Sequence, residues 1–265
     1  VTLGDGVGAA GSASLETWGN VVVGDNGTGV LNINSDGRLT MHYAANLGSS
    51  GILNVGVNGA ASIGTINQTG GVVDTDGLLQ LGVNTGSGTY TLNGSTGTVN
   101  VRALRAFATS TFNFNLDAGG ATKILVEGNT NPVGDFAIGN NVTLAGGQLN
   151  ISGLGNYATT SPIVLFDQLD PSAQLTGTFG NLVQGQVVGQ NSGGANFYLN
   201  LYGGDGNDIV LQSTLPSSST DGLVWNAAAA NFDAGWAMGN GSFGVGTTGV
   251  NPFGSSQTLY LGHNG

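Results

Sequence analysis

Asp74 and Asp76, in the phrase VVDTDG, stand two residues apart, so an extended strand presents both carboxylates on one face. Arg102 and Arg105 follow in VRALR, one or two repeats further along. Clustered carboxylates with a basic residue are the groups that polysaccharide lyases and hydrolases use, which makes these four the best catalytic candidates in the chain. The competing reading is a charged outer face whose ion pairs contribute little. The two histidines, His42 and His263, lie far apart in the sequence, and neither neighbours a candidate nucleophile. With no His or Lys beside the carboxylates to tune them, the charged face is favoured and no catalytic residue is expected.

GGDGNDIVL (203–211) fits the calcium-binding nonapeptide G-G-x-G-x-D-x-U-x, with Asp208 as the carboxylate and Val210 as the apolar plug. Calcium in such rolls lies between stacked copies, and the pattern occurs once. Asp205 and Asp208 are the candidate ligands; a tight glycine turn leading into a buried strand explains the same letters without an ion. Asp5 and Asp25 each follow a turn glycine, in LGDG and VGDN, and would lie one above the other if those turns stack. Ser49, Val83 and His263 take that place in later copies, so solvated turn aspartates are expected rather than a carboxylate ladder. Trp18, Trp225 and Trp236 could stack on sugars, but they are expected to cap an exposed end of the core.

The composition says what kind of scaffold carries these groups. Charged residues are 7% of the 265, against about 25% in an ordinary globular chain, and 50 residues are Gly. Abundant Val, Leu and Ile argue against disorder, and scarce Lys and Glu argue against long surface helices. The net charge is −11, with only Arg38, Arg102, Arg105 and Lys123 as cations. So few cations cannot neutralise a run of phosphates, which excludes nucleic acid as the expected partner. There is no polybasic segment for an anionic membrane and no apolar run long enough to span one, so membrane insertion by this segment is not expected. Cysteine is absent, which removes disulfides and thiolate metal sites. Val1 opens the chain without Met or a signal-like region, as in a processed protein or a piece of a longer one.

One phrase recurs. VVVGDNGTGVLNI (21–33), LGSSGILNV (47–55) and LQLGVNTGSGTYTL (79–92) share an alternating strand, a Gly-centred turn and a second alternating strand. VTLGDGVGAAGSASL (1–15) and LYLGHNG (259–265) are partial copies. Leu31 and Leu53, at matching places, are 22 residues apart. Further alternating runs are TVNVRAL (98–104), TFNFNL (111–116), VTLAGGQLNISGL (142–154) and FYLNLYG (197–203). The period and the glycine turns predict an all-β chain with almost no helix, wound as a β-solenoid (parallel β-helix) of coils about 20 residues long. Inward-facing Asn and Thr are expected to form ladders between coils. A β-sandwich is the alternative fold.

Three features resemble the autotransporter-associated β-strand repeat proteins, large exported bacterial surface proteins with β-helical bodies. They are the G-x-G-x-L-N-I/V repeat (27–33, looser at 51–55), the pair TGTFGNL (176–182) and YLNLYGGDGNDIVL (198–211), and LVWNAAAANFDAGW (223–236). The second is similar to the closing segment of such a module and the third to the aromatic opening of the next. The resemblance implies surface display and a structural or adhesive role, and it carries over no catalytic residue.

The layout is then a solenoid body with closing strands over 1–213, a linker over 214–220, and a module opening with a C-terminal β extension over 221–265. The expected function is that of a non-enzymatic structural subunit or module of an extracellular bacterial fibre or surface structure. An adhesin stalk binding glycans or cells and a β-helical polysaccharide lyase or hydrolase are the alternatives. Units are expected to polymerise head to tail, with Val1, Leu3 and Trp18 at one joint face and Trp225, Trp236, Leu259 and Leu261 at the other.

Overall fold

Runs in which Leu, Ile, Val or Phe alternate with Thr, Asn and Gln become strands because the apolar half of each has one face to bury. The computed structural model describes residues 1–8, 12–43, 51–117, 122–128, 142–170, 173 and 175–216. A first sheet holds β1 (Thr2–Leu3), β4 (Thr28–Ile33), β7 (Ile63–Gln68), β10 (Ser87–Asn93), β13 (Ser110–Asn115) and β16 (Gln148–Ser152). The second begins with β2 (Ala13–Thr17), β5 (Gly37–Met41), β8 (Val72–Thr75), β11 (Thr98–Val101), β14 (Ile124–Val126) and β17 (Ile163–Gln168). The third holds β3 (Val21–Asp25), β6 (Leu53–Val57), β9 (Leu78–Val83), β12 (Ala103–Ala106), β15 (Val142–Ala145) and β18 (Leu175–Thr178). The chain visits the three sheets in turn, and every third strand lies parallel beside its predecessor.

The second sheet is mixed. After β17 it continues through β21 (Asp208–Gln212), β20 (Asn196–Gly203) and β19 (Val187–Gln190), all antiparallel. The only helical element among the described residues is a 3₁₀ turn at Leu154–Asn156. The protein is thus all-β with stacked parallel strands, and the antiparallel hairpins that build a sandwich are confined to β17–β21. No helix of the described residues is long and apolar enough to cross a membrane.

The interior is built of ladders. On the first sheet Leu31, Ile66, Tyr90, Phe112 and Leu149 stack in register, and on the second Leu39, Val73, Val99, Ile124 and Phe166. The second set is 0% exposed throughout. Leu53, Leu79, Leu104 and Val142 do the same on the third sheet. A polar pair enters this core: the Tyr90 hydroxyl donates to Gln68 Oε1 at 2.7 Å, and Gln68 Nε2 donates to the Thr98 carbonyl at 3.1 Å. Burial pushes the Tyr90 phenol far up, so it stays a neutral donor.

The Asn and Thr ladders exist, but they run along the outside rather than the inside. Asn67 donates to Asn32 at 3.0 Å, Asn113 to Thr91 at 3.1 Å and Asn150 to Asn113 at 2.9 Å. These residues alternate with the ladder of Leu, Ile, Tyr and Phe, and burying an amide costs more than burying a hydrocarbon. The pleat therefore turns them to water.

The repeat interval also differs from the 22 residues suggested by Leu31 and Leu53. Leu31 pairs with Ile66 on the first sheet, whereas Leu53 pairs with Val21 and Leu79 on the third. Equivalent residues are separated by 35 (Asn32 to Asn67), 22 (Thr91 to Asn113) and 37 (Asn113 to Asn150). The long intervals contain 44–50, 118–121 and 129–141, which lie outside the described residues. TVNVRAL is likewise two strands, β11 and β12, which bend apart at Arg102 to enter different sheets.

Glycines line the corner between the third and first sheets. Gly56 has φ +69°, and a Cβ there would overlap the Ser87 carbonyl of the next strand. A Cβ on Gly64 would press on the Gly56 nitrogen in turn. By contacts the chain divides into residues 1–213 and 214–265. Residues 217–265 lie outside the described residues, so most of the expected linker, the module opening, the C-terminal β extension, Trp225, Trp236, Leu259, Leu261 and His263 receive no structural account.

Candidate functional site

Three adjacent parallel strands of the second sheet, β2, β5 and β8, gather the ionisable groups. Thr17, Met41 and Thr75 are in register and point inward, so the residues that follow them, Trp18, His42 and Asp76, lie side by side. The backbone continues the ladder: His42 N–H donates to the Thr17 carbonyl at 2.8 Å, and Asp76 N–H to Met41 at 2.9 Å. His42 Nε2 lies 2.8 Å from Glu16 Oε1, and Nδ1 lies 3.4 Å from Asp76 Oδ2. The hydrogen bond to the Glu16 carboxylate raises the imidazole above its ordinary value; the Asp76 carboxylate adds to this and partial desolvation works against it. Trp18, 58% exposed, lies against the His42 ring with centroids 4.5 Å apart.

The expected grouping of Asp74 and Asp76 with Arg102 and Arg105 is not what forms. Asp74 is paired with Arg38 Nη2 at 3.0 Å, and Arg38 Nε also donates to Thr40 Oγ1 at 2.9 Å. Arg105 faces outward on β12 of the third sheet, beside Gln80 and Thr143. Arg102 sits at the bend before β12, its N–H donating to the Gly77 carbonyl at 2.9 Å. The expectation that no histidine neighbours the carboxylates is also overturned, since His42 touches Asp76. Its partner is 34 positions away in the sequence, one long interval of the stack, and nothing local marks it.

Asp5 and Asp25 do not stack. Asp5 follows β1 of the first sheet, and its Oδ1 accepts Val7 N–H at 2.9 Å. Its own N–H and that of Gly6 donate to the buried Asp36 at 3.2 and 2.7 Å. Asp25 ends β3 of the third sheet and accepts from Asn58 Nδ2 at 2.9 Å, and Asn84 donates to Asn58 at 3.4 Å. In register the place of Asp25 is taken by Val57 and Val83, and the amides that reach toward it stand one residue later.

Asp205 stands in the turn that joins antiparallel β20 and β21, and Asp208 opens β21, so the nonapeptide is not part of a parallel roll. Asp208 is buried, and its Oδ1 accepts the Gln168 N–H of β17 at 2.8 Å. Its other oxygen lies where a side chain on Gly204 would be. Asp167, the next carboxylate, is held by Lys123 Nζ at 2.5 Å. Among the described residues no three acidic or histidine side chains converge as metal ligands do.

Desolvation, with repulsion from Asp167 and Asp205, raises the Asp208 carboxyl above its usual range. A proton held more tightly by the folded than by the unfolded chain makes stability fall as pH rises from the ordinary carboxylate value through the raised one. Asp208→Asn keeps the acceptor for Gln168 and removes that titration. The expected result is a melting temperature at pH 7 equal to or above wild type, and a flatter stability profile on acidification to about pH 4. Scanning calorimetry with and without a chelator reads both points. A loss of many degrees in the variant, reproduced in wild type by the chelator, would mean that Asp208 holds calcium.

No protein-family model matches the chain, and no curated protein or solved structure matches it either.

Proposed function

We propose that residues 1–213 wind as a three-faced β-solenoid, and that the chain is a non-enzymatic structural subunit or module of an extracellular bacterial fibre or surface structure. The reading follows the likeness to autotransporter-associated repeat proteins in the repeat and closing phrases. It also follows from the succession of strands, in which each circuit of three lies parallel on the circuit before it.

One observation carries the mode of assembly. Leu15 heads the inward ladder of the second sheet, yet it is 39% exposed while its five successors are at 0%. Val1, which falls opposite the inward Leu31 on the first sheet, is also exposed. Among the described residues β1, β2 and β3 have no strand on their outer side. Three parallel edges with an apolar mouth template the addition of another chain. Residues 221–265, which carry the LYLGHNG copy of the repeat phrase, supply the complementary strands of the next unit. Such a contact does not close on itself and yields a filament.

Electron microscopy of the 265-residue chain should show filaments. Deleting 221–265, or placing a charge in the mouth with Leu15→Asp, should leave short or single particles with an unchanged β-type circular dichroism spectrum. Full-length filaments from the deleted chain would place the joint elsewhere and end this reading.

A further inference from the structure

The three circuits nearest the open mouth are tied together on their outer side by a single imidazole. Glu16 belongs to the edge strand β2, His42 follows β5 and Asp76 follows β8, so the ring bridges the first, second and third strands of the sheet. A neutral imidazole has one N–H and one lone pair, and it can donate to only one carboxylate. Both ring nitrogens here face carboxylate oxygens, an arrangement that only the imidazolium satisfies at both ends. The Trp18 ring on the exposed side favours the same charged form, since a cation is drawn to an indole face.

We propose that His42 is an imidazolium clamp that fastens the edge strand β2 to the two strands behind it and thereby makes assembly through that edge dependent on pH. This inference rests on the filament reading for its consequence but not for its chemistry. With the proton present, Glu16, His42 and Asp76 sum to one negative charge and β2 is held in register to receive a neighbour. Without it, one carboxylate faces a lone pair, the group carries two negative charges, and the edge loosens.

The other charges on these strands leave the role to His42. Arg38, near the start of β5, and Asp74, on β8, neutralise each other, and Arg38 is further engaged by Thr40. The Tyr43 N–H donates to Asp76 Oδ2 at 3.3 Å, which fixes the carboxylate without altering its charge. Arg102 lies beyond Gly77 at the next bend.

The sequence holds two histidines, so a His263→Gln background leaves His42 as the sole imidazole signal in proton NMR. The expected titration midpoint lies above the ordinary 6.5 and moves down in Glu16→Gln and in Asp76→Asn. A midpoint at or below 6.5, or one indifferent to both changes, overturns the clamp. Filament yield measured by sedimentation between pH 6 and 9, where no ordinary carboxylate titrates, should fall with rising pH. The fall should be about fivefold, the size expected for a half-exposed charged pair. His42→Gln should give the same yield at every pH in that window. If His42→Gln keeps the wild-type pH dependence, the clamp does not govern assembly. A wild-type chain that forms no filaments at any pH ends the filament reading and the link to it, while the titration still decides the clamp.

Discussion

Phe166→Ala should be the most damaging single core change, lowering stability by about 3–5 kcal/mol. Phe166 ends the inward ladder of the second sheet and is fully buried. Its ring meets Phe112 edge-on at 5.3 Å and 88°, and Phe114 at 5.4 Å and 67°. These are the geometries in which aromatic pairs contribute beyond buried area. Phe179 lies 6.3 Å away on another side. Truncation opens a void where rungs of two sheets meet, and the backbone around it is fixed by ladder bonds to β14 and β21. The loss should show in a urea melt as a lower midpoint, with hydrogen exchange accelerating first in β17, β20 and β21 because strands of a stack depend mainly on their immediate neighbours. Phe166→Leu, which keeps most of the volume, should cost about 1.5 kcal/mol or less. An Ala variant within about 1 kcal/mol of wild type would mean that these three rings do not organise that end of the core.

Gly56→Ala should destabilise by about 2–4 kcal/mol although it adds one methyl group at a corner. Two penalties coincide. The backbone there has φ +69°, which disfavours any residue with a Cβ, and the added carbon would occupy the space of the Ser87 carbonyl. Ser87 cannot retreat easily, since its N–H donates to the Ser62 carbonyl at 2.8 Å and β10 is bonded on both sides, to β7 and β13. Gly27 is the internal control. A Cβ there meets nothing within 4 Å, so Gly27→Ala should lie within about 0.5 kcal/mol of wild type. Equal melting temperatures for the two variants would show that the corner is not tightly packed.

Much of this was legible in the letters. VLNIN, TINQ, TYTLN and FNFN each announce a strand, and within each the apolar residues identify the buried face. The phrases VGDNG, VGVNG and LGVNTG mark one corner three times. Register was not legible, because the interval between equivalent residues runs from 22 (Tyr90 to Phe112) to 42 (Ile124 to Phe166). A local pattern reports its own strand but not which later strand will lie beside it. That is why Asp74 found Arg38, and Asp76 found His42, rather than the arginines nearest in the sequence. The bend at Arg102 escaped for a different reason: it uses no glycine, so no turn residue betrays it.

The outer amide ladders have a direction. Asn32 donates to Thr2 and Asn67 to Asn32, Asn113 to Thr91 and Asn150 to Asn113, Asn115 to Asn93 and Ser152 to Asn115. The corner amides do the same, Asn84 to Asn58 and Asn58 to Asp25. Every bond points toward the lower-numbered strand, so the small dipoles align and reinforce one another. The face is polar along its length as a magnet is, with the hydroxyl of Thr2 as the first acceptor and the amide of Asn150 as the last donor. Two such faces laid end to end in the same sense continue the series, whereas two reversed copies bring like ends together.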